Sequence, residues 1–134
     1  MNIFSFIPLF SIILVIYNIM AFFFNVDFGA SALPVFDMQL MSAATWSPTR
    51  GDLLLMLGVV FLYVEIFKAT NAGTASIVDH AISVLVFIIF LIEFIVVENA
   101  GTSTFIILAL MSLLDVIAGF TITISSARRD FSVN

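Results

Sequence analysis

The feature that most constrains this chain is the run from Thr104 to Arg129, which is apolar over a bilayer's width, carries one carboxylate near its middle, Asp115, and stops at two arginines. A helix needs roughly 20 apolar residues to cross the hydrocarbon core. Four runs approach or meet that length, over about 3–24, 52–69, 77–97 and 104–125. The composition excludes the soluble alternative. The 134 residues are 63% hydrophobic and only 10% charged, against about 25% charged in a soluble domain, and a chain this small buries only about two-thirds of its surface in its own core. Period-two alternation is absent, and backbone groups in lipid must be satisfied within helices or closed barrels. The sequence therefore predicts an all-α integral membrane protein: a four-transmembrane-helix up-down bundle with left-handed packing, forming one transmembrane domain over 1–134.

The punctuation between the runs supports this reading. The first run is taken as a span rather than a signal peptide, despite the small-residue stretch Ala30-Ser31-Ala32, because it is too long for a signal core and no Lys or Arg precedes it. Pro8 sits in its first turns, where a missing N–H matters least. The connection from Val26 to Gly51 holds Pro34, Trp46 and Pro48. It is read either as a short interfacial helix, with Val35, Phe36, Leu40 and Met41 on one side, or as an irregular loop. Thr49 to Asp52 has the spacing of a capping box, as does Ser76 to Asp79. Asn71-Ala72-Gly73-Thr74 and Asn99-Ala100-Gly101-Thr102 separate the later runs, and Thr104 opens the last. A glutamate stands six residues before each of these two breaks, Glu65 and Glu93, so the pair is expected at opposite ends of the bundle.

Basic residues set the orientation, since cytoplasmic loops carry the excess of Lys and Arg. Arg128 and Arg129 place the C-terminus in the cytoplasm, and four spans return the N-terminus to the same side. Lys68 agrees and Arg50 dissents. The expected setting is a bacterial inner membrane.

Ionisable residues inside spans face the bundle interior and mark function by default. Here residues, mostly polar or small, recur every seven positions: Ser11, Asn18 and Asn25; Gly51, Gly58 and Glu65; Asp79, Val86 and Glu93; Ser112, Gly119 and Ser126, with Asp115 and Thr123 alongside. A seven-residue repeat keeps one helix face toward its neighbours, and small or polar residues suit such contacts. Counting about 1.5 Å per residue from the inner boundary predicts two layers. The deep layer is Asn18, Glu93, Ser112 and Asp115, a candidate polar or ion site in which unpaired acids are expected to hold their protons. The cytoplasmic-side layer is Glu65, Lys68, Asp79, His80, Arg128 and Arg129. Each acid is read either as a helix-register device or as a proton or cation waypoint.

Several classes are excluded. There is no cysteine and one histidine, so thiol chemistry and multi-histidine metal or haem sites do not arise. No metal, nucleotide or nucleophile motif accompanies the acids, so neither a cofactor nor an enzyme is expected, and no basic cluster offers itself to nucleic acid. The signature residues of fluoride channels and small multidrug exporters, the cysteines of quinone-linked disulfide enzymes and the arginine ladder of a voltage sensor are all missing. The expected partners are the lipid bilayer and other membrane subunits or copies of the chain itself. The expected function is that of an accessory or scaffolding subunit acting by helix contact; the alternative is a small proton- or cation-linked transporter or channel.

Overall fold

A computed structural model describes residues 6–70 and 74–133, the side chains of 74–76, 126 and 129–133 excepted. Four helices dominate: α1 (Leu9–Asn18), which widens into a π-helical turn over Ile19–Phe23; α2 (Arg50–Ala69); α3 (Thr74–Val96); and α4 (Ser103–Val133). Two of them are long and apolar enough to cross a membrane, over Ile77–Val96 and Ser103–Ser125, while Leu9–Phe23 is apolar but shorter. The expected start of the first span near Ile3 lies outside the described residues. Helix α1 begins only after Pro8, which is extended at φ −66° and ψ 132°, because proline has no N–H to offer and disfavours helix in the residue before it.

The helices keep the expected up-down alternation, but their order around the bundle is not sequential. Helix α4 packs along both α2 and α3, and α1 touches α2 and α3 on the opposite side. The ring therefore runs α1–α2–α4–α3, with α2 and α4 parallel: Gly51 meets Thr104 at the start of both helices, and Gly58 meets Leu108 and Met111 two turns further on. The glycines permit this approach. A Cβ at Gly51 would stand 2.7 Å from the Thr104 hydroxyl, and one at Gly58 would stand 2.8 Å from the Met111 sulfur. The apolar core is aromatic and lies toward the end where α4 begins. Tyr17 stacks on Phe28 at 4.3 Å and meets the edge of Phe105 at 4.8 Å, and Phe90 lies 5.3 Å from Phe105. These rings are buried, whereas Val59, Tyr63, Phe67, Leu85, Ile88 and Ile95 face outward.

The long connection is a hairpin, not an interfacial helix. Strands β1 (Met38–Gln39) and β2 (Thr45–Trp46) pair antiparallel. Leu40 and Ala44 close the turn between them, Ala43 takes a left-handed φ of 70°, and Pro34 bridges to Thr49. A one-sided apolar pattern over so few residues fits strand and helix equally. Here the pairing of Met38 with Trp46 decides for the strand, supported by Phe36, just before β1, meeting Trp46 edge to face at 5.5 Å and by the Ser47 hydroxyl donating to Asp37. The hairpin delivers the chain to a complete capping box. Thr49 Oγ1 accepts from the Asp52 N–H at 3.2 Å, and the Thr49 N–H donates to the Asp52 carboxylate at 3.0 Å.

The later breaks differ in detail from expectation. Asn71 to Gly73 and the Ser76 side chain lie outside the described residues. At the other turn, a 3₁₀ segment over Glu98–Ala100 precedes α4. Helix α4 is capped by Thr102, whose hydroxyl accepts from the Phe105 N–H at 3.1 Å. Thr104 is buried against α2 instead of opening the helix.

Candidate functional site

Four buried ionisable side chains line the seam between α2, α3 and α4 without converging on one point: Glu65, Asp79, His80 and Asp115, each 3% exposed or less. The helices position them by simple spacing. On α2, Glu65 and Lys68 stand three apart and so share a face. On α3, Asp79 and His80 begin the buried stripe that continues through Ser83 and Val86. On α4, Ser112, Asp115 and Gly119 follow one another at intervals of three and four on the inward face.

Lys68 is the hub. Its ammonium donates to Glu65 Oε1 at 3.1 Å and to the Ile7 carbonyl at 3.1 Å, and stands 3.5 Å from Asp79 Oδ1. Glu65 Oε1 also accepts from the Leu9 N–H at 2.9 Å. This carboxylate caps the start of α1, which has no side-chain cap of its own; a negative group there satisfies a free N–H and complements the helix dipole. The cluster is therefore a clasp joining α1, α2 and α3. The Asp79 carboxylate turns toward Lys68, and the neighbouring Ser83 hydroxyl donates to the Asp79 carbonyl at 2.9 Å. His80 presses its ring onto Gly119, where a Cβ would stand 2.6 Å from the ring, and lies 5.8 Å from Phe120. Beyond these bonds, Glu65 Oε2, His80 Nε2 and Asp115 Oδ2 are enclosed without a hydrogen-bond partner among the described residues, as is Asp79 Oδ1 apart from its ion pair.

The two expected layers are redistributed. Asn18 does meet Glu93: its amide donates to Glu93 Oε2 at 3.1 Å and to the Leu14 carbonyl at 2.9 Å. Asp115 does not join them. Its charged neighbours are Glu65, Asp79 and Lys68, so it belongs with the Lys68 cluster. The reason is helix overshoot. His80 lies six residues into α3, about 9 Å, yet it contacts Gly119, fourteen residues or about 21 Å before the end of α4. Helix α4 thus projects about 12 Å past the start of α3, and depths counted back from its arginines are too large by that amount. Arg128 is exposed on the projecting turns and takes no part in the cluster; the Arg129 side chain lies outside the described residues. Ser112 is buried on the same stripe, one turn before Asp115.

Comparison with family models, with curated proteins and with solved structures finds no match for this chain. Its function is therefore argued from its own residues. Sequence reasoning passed over Tyr17, whose hydroxyl donates to the Asn99 carbonyl at 2.9 Å and shares a 2.8 Å hydrogen bond with Thr102, tying α1 to the turn before α4. It also passed over Ser83, and the signal that could have found it is its place one turn after Asp79 on the inward stripe. At the end where α4 begins, a cavity of about 330 Å³ is lined by Asn25, Asp27, Glu98 and Asn99. No group of three or more metal-ligating side chains converges among the described residues.

Proposed function

We propose that this chain is a four-span protein of a bacterial inner membrane, with both termini cytoplasmic, that acts by helix contact as an accessory or scaffolding subunit of a larger complex or of a homo-oligomer. The observation that carries this reading is the direction of its chemistry. Lys68, Glu65 and Asp79 spend their bonds on neighbouring helices of the same chain, while α2 and α3 turn Val59, Tyr63, Leu85, Ile88, Ile92 and Ile95 outward. Such a bundle is stiff inside and adhesive outside. The two helices that are long and apolar enough to cross support the remaining pair, since α1 and α2 pack along them. Without a hydrophobic effect between helices in lipid, close packing and small residues drive association.

The test is native mass spectrometry of the chain released from lipid nanodiscs. It is joined by oxidative cross-linking of an Ile92→Cys variant, which is clean because the chain has no cysteine of its own. More than one copy, or a stoichiometric second membrane chain, is expected. A strict monomer in both measurements refutes contact-based function. If that monomer also carries a proton or cation flux that Asp115→Asn abolishes, the transporter reading replaces it.

A further inference from the structure

Among the described residues, the buried acids outnumber their counter-ions. Three carboxyl groups, Glu65 on α2, Asp79 on α3 and Asp115 on α4, share the seam with one ammonium, Lys68, and one imidazole, His80. At this point α1 and the residues just before it contribute backbone groups, the Leu9 N–H to Glu65 and the Ile7 carbonyl to Lys68. On α4 the nearest base is Arg128, exposed and thirteen positions past Asp115, about 20 Å along the axis. Lys68 neutralises one carboxylate, and its three donors already face Glu65, Asp79 and the Ile7 carbonyl.

The unpartnered atoms point the same way. Asp115 is 2% exposed, its Oδ2 is enclosed without a partner among the described residues, and Glu65 Oε2 and His80 Nε2 are enclosed likewise. A buried carboxylate left without partners is strongly disfavoured and takes a proton in preference to remaining charged. Metal binding would need three or more convergent ligands, which the described residues do not supply. A proton needs one oxygen and no extra volume. Among the described residues of the cluster, Lys68, with 22% of its side chain exposed, is the one that reaches the surface, so exchange with the outside runs past it.

We propose that the seam between α2, α3 and α4 is a proton-binding site in which Asp115 holds an exchangeable proton, with access on the Lys68 side. This goes beyond the scaffolding reading and is independent of the number of copies in the assembly.

The test is infrared spectroscopy of the full chain in vesicles of phosphatidylethanolamine and phosphatidylglycerol. The protonated carboxyl group has a carbonyl stretch well separated from that of the carboxylate. The expected result is a protonated-carboxyl band at neutral pH that shifts in heavy water, disappears on titration to alkaline pH and is lost in Asp115→Asn. Should Asp115→Asn fail to fold, Asp115→Glu serves instead, and the band must then move to a new position. Absence of the band, a band indifferent to heavy water, or a band unchanged in position by substitution at Asp115 overturns the proposal. So does disappearance of the band when sodium replaces choline at constant pH, which would make the ligand a monovalent cation.

Discussion

Gly119→Ala is expected to be among the most damaging single-methyl additions in this protein. The added Cβ would stand 2.6 Å from both Cε1 and Nδ1 of His80. Carbon contacts are comfortable at about 3.5–4.0 Å, so the ring or the whole of α4 must retreat by about 1 Å. The ring has little freedom to move, because His80 is 3% exposed and lies beside Phe120. Overpacking of this kind costs about 1–3 kcal/mol, partly offset by up to about 1 kcal/mol of improved helix propensity. Gly58→Ala is the internal control. Its Cβ would meet Met111 Sδ at 2.8 Å and Leu108 Cδ2 at 3.1 Å, both far ends of side chains that can swing away, so near-neutral stability is expected. The assay is unfolding in mixed micelles with rising sodium dodecyl sulfate, followed by circular dichroism. It is run on the wild type, both alanine variants, His80→Ala and the His80→Ala/Gly119→Ala double variant. Removing the imidazole should relieve the clash, so the penalty of Gly119→Ala should shrink in the His80→Ala background by about 1 kcal/mol or more. Equal penalties in both backgrounds, or Gly119→Ala no worse than Gly58→Ala, would refute the assigned register between α3 and α4.

Two further substitutions probe the two ends of the bundle. Lys68→Met leaves Glu65 and Asp79 without their ammonium and should destabilise the fold by about 2–4 kcal/mol, somewhat below the figure for a fully buried pair because Lys68 is partly exposed; the same micelle titration checks it, and a loss under about 0.5 kcal/mol contradicts the clasp. Tyr17→Phe removes the hydrogen bond to the Asn99 carbonyl and should cost about 1 kcal/mol, seen as faster amide exchange confined to the turn around Glu98–Ala100 and the first residues of α4; unchanged exchange there argues against the tie.

Much of this architecture can be read from residue order, and the exceptions have physical causes. Thr49 and Asp52 form the capping box that their spacing implies, because a cap depends only on neighbours three residues apart. The stripes of Gly51, Gly58 and Glu65 and of Ser112 and Gly119, with Asp115 alongside, are buried as the seven-residue recurrence implies, whereas Asn25 at the end of the first-helix stripe is exposed. The hairpin was not legible, since its turn depends on Ala43 adopting a left-handed φ that alanine rarely takes. The level of Asp115 was not legible either. Depth was counted from helix ends, and nothing in residue order announces that α4 extends beyond its neighbours. The ring order α1–α2–α4–α3 escaped for a similar reason: short connections favour neighbours, whereas the close approach permitted by Gly51 and Gly58 draws α2 to α4.

The capping of α1 by Glu65 carries a consequence for biogenesis. The amide that opens the first helix is satisfied by a side chain fifty-six positions later, and the carbonyl of Ile7 is held by Lys68, sixty-one positions later. During synthesis α1 leaves the ribosome long before either partner exists, so its first turn stays unfinished until α2 has emerged and folded back. The natural unit of folding is then the α1–α2 pair rather than a succession of single helices, and translation stalled before Glu65 should leave a nascent chain whose first turn is still open to protease.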